Sequence, residues 1–411
     1  MIYGIALRLI VLVLLSPLAL RAQDSKEPFS YPNSSIVVGS TSDFMMVQHV
    51  VLRGSNLEIG QQMASFARAN GITITPAKDP LINRLRREYI KAVYPAYFHR
   101  MRGLADGFGY DIEDNRWDFS MLWQPMMTGM GCSIVYCPSA SSANRHGMLC
   151  RNYDFTTGTI TGQYPDSGFL PANSRPIIFE IHPDSGYASL AMCDFELLGG
   201  VLDGINSEGL TVAIAADDEI IGKYGRQSGD EVGLHELLCM RYLLDNCANV
   251  QEAKEAMLTL KHFYYFIPCH YLVADKYGKS FIFEFSSQRN QSQITEGNGP
   301  QIMTNHPVFS YANIEELPEG WSYDRYRTLH EAFLGKKQYA ASDLITILSS
   351  VQPASPASEN SQYAPLRTLW NALYDSEELT LQIKFYLGER RPAGGESAPK
   401  YSEPITIRLI Q

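Results

Sequence analysis

Beyond residue 22 the 411-residue chain has no long apolar run, and nowhere is it strongly basic. The first lack argues against membrane-spanning helices in the body of the protein, since a span needs roughly 20 apolar residues in a row. The second argues against nucleic acid as a partner. Lys and Arg total 34 against 44 Asp and Glu, a formal net charge of -10, and a phosphate backbone is followed by basic surfaces. Cysteine is sparse as well. Seven in the whole chain is far below the density of a disulfide-dependent mini-domain, so the fold must rest on its core, for which a hydrophobic content of 45% is ample. There is no G-x-S-x-G elbow, no H-E-x-x-H and no phosphate loop, which removes the commonest hydrolase and nucleotide-binding signatures. No internal repeat is present.

What is there begins at the N-terminus. Arg8 precedes the apolar run Leu9 to Leu15, then Ser16, Pro17 and small residues up to Ala22 lead into polar Gln23-Asp24. That order predicts a secretory signal peptide over residues 1–22 and an exported protein, periplasmic, secreted or lumenal. The stretch between Arg8 and Arg21 is too short for a stable membrane anchor. No Cys lies near the cleavage region to carry a lipid. An odd number of cysteines in an exported chain leaves one thiol free or paired with another copy, so a homo-oligomer stays open.

Two styles follow along the chain. Residues 52–110 carry helical signals: Asp79-Pro80 is a cap and first-turn proline, and "LINRLRREYIKAVY" places Leu81, Leu85, Tyr89 and Val93 on one face until Pro95. After residue 132 strands dominate. The runs 177–182, 210–215, 270–275 and 280–285 are short and β-rich, the last two joined as a hairpin by "KYGK", and 379–387 alternates strictly. Helices are expected over 232–246, after Asn249 with Glu252 three residues on, and after Ser342. Residues 352–362 and 391–404 read as loops. The pattern predicts a layered α+β body, with residues 23–131 as a helical prosegment and 132–411 as the catalytic domain.

The chemistry concentrates in "GMGCSIVYCPSASSANRHGMLCRNYDF", residues 129–155. As a zinc site, Cys132, Cys137, His146 and Cys150 have a spacing that matches no common finger or knuckle. A disulfide between two of the three cysteines is compatible with export. A nucleophile explains more of the residues. If the chain cuts itself before Cys132, the new α-amine, of ordinary pKa about 7.7 to 8.0, becomes a base beside a thiol of ordinary pKa about 8.5. Gly131 tolerates the backbone geometry that scission requires. A turn at 144–147 and a second strand would return Arg151 and Asp154 to Cys132, where Arg151 favours the thiolate and Asp154 holds the amine.

That segment resembles the cysteine N-terminal nucleophile (Ntn) hydrolases of the choloylglycine hydrolase and penicillin acyltransferase group, which includes bile-salt hydrolases, acid ceramidase and N-acylethanolamine amidase. "DGINSEGLTVAI" (203–214), "LLDNCANVQEAKEAM" (243–257) and "HYLVADKYGKSFIFEF" (270–285) continue the likeness. The resemblance implies a four-layer αββα fold and hydrolysis of a linear amide C–N bond in a small N-acyl substrate, with no metal or organic cofactor. It implies that Asn305 of "MTNHP" donates to the oxyanion, and that "SYDRYRTL" carries a second active-site arginine, placed on Arg325 with Arg327 two residues on. In the prosegment "GSNLEIGQQM" (54–63) resembles the acyltransferase branch. Where bile-salt hydrolases have an oxyanion Asn after the "NSEGL" strand, this chain has Ala216 and Asp217.

Ordinary readings stand beside these roles. Arg151 and Asp154 could be a surface pair, Asn305 a turn residue, Arg325 a solvated helix charge, and His146, His270 and His306 structural or solvent-facing groups. At the level of the whole protein, an acyltransferase passing the acyl group to an amine, or a non-catalytic binding protein on the same scaffold, are the rival functions.

Overall fold

The computed structural model describes residues 31, 33–122, 130–158, 171, 173–194, 196–219, 231–265, 267–286, 291–311, 313–353, 364–390 and 397–410. The expected signal peptide lies outside them, as does nearly all of the expected loop at 352–362.

Among the described residues two large sheets dominate. The first has nine strands in the spatial order β1 (Ser34–Gly39), β2 (Met46–Gly54), β5 (Ile177–Pro183), β6 (Ser189–Cys193), β7 (Asp203–Asn206), β8 (Thr211–Ala216), β9 (Cys269–Ala274), β10 (Ser280–Ser286) and β11 (Gln291–Glu296). Only β2 and β5 run parallel. The second sheet runs β12 (Gln301–Met303), β3 (Met130–Cys137), β4 (Met148–Thr156), β13 (Leu366–Asp375), β14 (Thr380–Arg390) and β15 (Ala398–Tyr401), with β16 (Ile405–Arg408) also paired to β14. The sheets meet where β8 lies against β3.

Helices cover both outer faces. On the first sheet α1 (Asn56–Ala69) lies against β2, α4 (Glu236–Asn246) against β7 and β8, and α5 (Val250–Thr259) against β9 and β10. On the second, α6 (Trp321–Leu334) and α7 (Ala341–Ser349) pack over β3, β4 and β12. The expected αββα layering is therefore present. Helices α2 (Pro80–Val93) and α3 (Pro95–Phe108) extend the first helical layer. The backbones of α1 and α3 touch: a Cβ on Gly60 would lie 2.0 Å from the Arg100 carbonyl oxygen, and one on Gly103 2.0 Å from that of Leu57.

Strand alternation sorts the central segment. Cys132, Ile134, Tyr136 and Tyr153 join the main buried cluster, whereas Val135, Cys137, Met148 and Cys150 pack with Leu329, Leu344 and Leu348 of α6 and α7. Cys132 and the other two cysteines thus face opposite ways, and His146 binds Asp375 at 2.9 Å. This separation dismantles the zinc reading. All seven cysteines are buried and unpaired, so no disulfide staples the segment.

Other expectations are amended. The segment before Cys132 is not helical throughout, because β1 and β2 join the first sheet and the run with helical signals from residue 52 opens with the end of β2. Helix α2 buries Asn83, Arg86, Arg87 and Ile90, while Leu81 and Leu85 are exposed. The arginines go inward because partners meet them: Arg87 reaches Glu113 at 2.6 Å, and Arg86 lies over the Phe263 ring and donates to the Glu231 carbonyl. The expected loop at 391–404 contains β15. Strand β13 was unforeseen. It lies beneath α7 on one face and belongs to the buried cluster on the other, so it shows no polar alternation, and Arg367, Thr368 and Asn371 interrupt its apolar run.

Candidate active site

Strands β3 and β4 form the expected hairpin, with Cys132 opposite Tyr153 and Gly131 opposite Asp154. The neighbouring strand β12 leads directly into the turn that carries Asn305, and α6 delivers Arg325. Local sequence therefore places each group, and the sheet gathers them. Cys132, Arg151, Asp154, Asn305 and Arg325, expected from the sequence, all come together, and all are buried.

Arg151 donates from Nη2 to the Cys132 Sγ over 3.2 Å. The Cys132 backbone N–H donates to Asn305 Oδ1 at 2.8 Å, and Arg325 Nη2 donates to the same oxygen at 2.7 Å. Two donors on Oδ1 fix the orientation of this amide, leaving Asn305 Nδ2 to donate to the Ala216 carbonyl at 2.9 Å. That bond takes one of the two Nδ2 hydrogens. Ala216 thus contributes a carbonyl acceptor at this point. Arg325 Nη1 also donates to the Cys132 carbonyl and to Ser133 Oγ, and its guanidinium lies 3.9 Å over the Trp321 ring. Arg327, by contrast, pairs with Asp324 at the surface. Of the two arginines, Arg325 is the one in contact with Cys132.

Charge is finely opposed here. Burial pushes the Cys132 thiol up from its ordinary pKa, while Arg151 and Arg325 pull it down. Burial likewise pushes the Asp154 carboxyl up to about 6 against Arg325, Thr368 and Arg151. Asp154 Oδ1 accepts from Thr368 Oγ1 at 2.5 Å; among the described residues Oδ2 has no hydrogen-bond partner, and it lies 4.0 Å from Arg325 Nη1. A buried carboxylate oxygen without a donor is costly. It stands on the strand position facing Gly131, beside the peptide that self-cleavage would open.

The sequence reading missed Asp203. Its carboxylate on β7 accepts from Arg151 at 2.7 Å and from Tyr374 Oη at 2.6 Å, tying the two sheets together beneath the thiol. The available signal was an acid opening the short strand "DGIN", all of which is buried. Ser322, whose Oγ accepts from the Asn305 backbone N–H at 2.8 Å, was missed too.

Two facing sheets between helical layers define the Ntn-hydrolase fold class. Within it, the chain belongs to the family described as acyl-coenzyme A:6-aminopenicillanic acid acyl-transferase, which matches residues 141–391, more than half its length. Similar solved structures include a mutant conjugated bile acid hydrolase from Clostridium perfringens, with 16% identity and a TM-score of 0.46 over 68% of this chain and 92% of that one. Another is penicillin V acylase from Agrobacterium tumefaciens, with 18% identity and a TM-score of 0.38 over 62% of this chain and 82% of that one. No curated protein matches. Arg151, Asp154, Asn305 and Arg325 fall inside the family match; Cys132 precedes it.

Proposed function

We propose that the chain is an exported, self-processing cysteine amidohydrolase that cleaves the linear C–N bond of a small N-acyl amide through a thioester on Cys132. The observation that carries this reading is the contact set on one residue: Arg151 on the Cys132 sulfur, with Asn305 and Arg325 on its backbone.

In self-processing, Sγ attacks the Gly131 carbonyl carbon, the Gly131–Cys132 C–N bond breaks and its nitrogen takes up the thiol proton as the new α-amine. Water then cleaves the resulting thioester, leaving a Gly131 carboxylate and a free thiol. Asp154, whose second oxygen lacks a donor among the described residues, receives that amine as an ammonium partner. In turnover the neutral amine accepts the thiol proton as Sγ attacks the acyl carbon. Asn305 Nδ2 stabilises the oxyanion, and collapse expels the substrate amine carrying that proton. Water completes the cycle. If an acceptor amine displaces the thioester instead, the protein is an acyltransferase, a reading favoured by its family and by residues 54–63. A binding protein that keeps the scaffold would work without the thiol.

Intact-mass measurement of the purified protein tests the first step. The wild type is expected as two chains, the larger beginning at Cys132, and Cys132→Ala as one. A single uncut wild-type chain would falsify the processing step. Alkylation of Cys132 is then expected to abolish amide cleavage, and product analysis with added amines separates hydrolase from transferase.

A further inference from the structure

The turn carrying Asn305 is gripped by two groups that the proposed reaction does not use. His270 on β9 and Glu284 on β10 are register partners, and both are buried. His270 Nδ1 lies 3.1 Å from Glu284 Oε1, and its Nε2 lies 2.7 Å from the Thr304 carbonyl oxygen. Both partners are acceptors. An imidazole can satisfy two acceptors only if both ring nitrogens carry hydrogen, so the geometry calls for the charged imidazolium. Burial alone would push His270 toward the neutral form, but Glu284 and Asp217 outweigh it and hold its pKa above the ordinary value. Glu284 accepts two further bonds, from the backbone N–H of Val308 at 2.6 Å and of Phe309 at 3.0 Å. One ion pair therefore holds the turn at residue 304 and again at 308 and 309, on either side of Asn305. Further holds come from α6, where Ser322 Oγ accepts from the Asn305 N–H and meets His306 Nδ1 at 2.9 Å, and from the end of β8, where Asn305 Nδ2 donates to the Ala216 carbonyl and the Asp218 N–H donates to the Asn305 carbonyl, each at 2.9 Å.

We infer that His270, together with Glu284, is a positioning residue: as an imidazolium it locks residues 304–309 so that Asn305 faces the Cys132 amide and Arg325. His270 touches neither the sulfur nor Arg325 in any hydrogen bond, so it acts through Asn305. A buried ion pair is a costly way to stabilise a fold, because both charges are desolvated. What it adds here is direction. One imidazolium bond to the Thr304 carbonyl on one side and two amide bonds to the Glu284 carboxylate on the other fix a turn whose Asn must be aimed to within a fraction of an ångström. The inference rests on the proposed role of Asn305 for its catalytic consequence, whereas the clamp itself does not depend on that role.

The test uses His270→Gln and Glu284→Gln in the full-length protein, with two readouts. Amide hydrogen exchange at Val308 and Phe309 is expected to quicken at least about tenfold in both variants, with α4 and β13 unchanged, as for local opening of one segment. Unchanged exchange at those two amides overturns the clamp. Amide cleavage is expected to lose between about tenfold and 100-fold in kcat with KM nearly constant, the size of effect that misplacement at a distance produces. In an Asn305→Ala background the same His270→Gln change is expected to cost nothing further. A loss equally large in that background would mean that His270 acts on the fold at large, and the positioning role would fall. A wild type that stays uncut and cleaves no amide refutes the proposed function, and the exchange measurement still decides the clamp.

Discussion

At the scale of single residues, Asp154 is where chemistry and stability pull apart. Its carboxyl is pushed up to about 6 in the folded chain by burial, against about 3.9 unfolded. The folded state therefore holds that proton more tightly, and the stability this group contributes is present below about pH 4 and lost as pH rises through about 6. In the uncut Cys132→Ala chain, Asp154→Asn is expected to be near neutral at pH 4 and stabilising by about 3 kcal/mol at pH 7 relative to its parent. Urea midpoints across that range read the difference, and a pH-independent difference contradicts it. In the processed enzyme the same substitution is expected to lower turnover and to shift the acidic limb of the rate profile to lower pH, since a charge favouring the ammonium is gone. The five candidate residues that the structure brings together were legible in the sequence because each sits in a short local pattern. Asp203 was not. Its importance comes from Arg151, 52 residues away and on the other sheet, and no local spacing encodes that pairing.

At the scale of elements, alternation was a sound guide wherever a strand has two different faces. Leu381, Ile383 and Phe385 on β14 are buried as their period of two implies. It failed for α2, where helical periodicity picked out Leu81 and Leu85 and the structure buries Arg86 and Arg87 instead. Periodicity counts apolar side chains, but a guanidinium that meets a carboxylate and backbone carbonyls is also satisfied inside. The crossing of α1 and α3 gives a sharper expectation. A methyl on Gly60 would stand 2.0 Å from a backbone oxygen that cannot rotate away, so Gly60→Ala must push the helices apart. A loss of about 2 kcal/mol or more in urea unfolding is expected. An unchanged midpoint would contradict this close approach.

At the scale of the whole molecule, the segment before Cys132 is part of the fold. Strand β2 pairs with β5, and Val50, Leu52, Met63, Phe66 and Leu104 share one buried cluster with residues from both sheets. Asp245 on α4 draws Arg100 and Tyr94 from the earlier segment to 2.8 Å and 2.5 Å. Cutting at Gly131 would therefore leave two chains held by a common core, and both masses are expected in one gel-filtration peak until denaturant is added. Asp245→Ala strips the carboxylate from two buried arginines, Arg100 and Arg241. It is expected to cost about 3–5 kcal/mol and to release the small chain at lower urea. Release of the small chain from the unmutated protein without denaturant would refute this account.

By itself the sequence determined the β-rich body, the β3–β4 hairpin with Cys132 at its start, and the family to which the Asn and Arg motifs point. These follow from local periodicity, turn chemistry and short motifs, which act between neighbours in the chain. Only the tertiary structure decided that β1 and β2 enter the first sheet, that Arg325 rather than Arg327 reaches the Cys132 carbonyl, that Asp203 holds Arg151, and that His270 grips the Asn305 turn. Each of those depends on which charged or hydrogen-bonding groups meet when distant elements stack. Desolvation makes such meetings decisive, because a buried charge must find its partner, and where that partner lies is set by how the layers close.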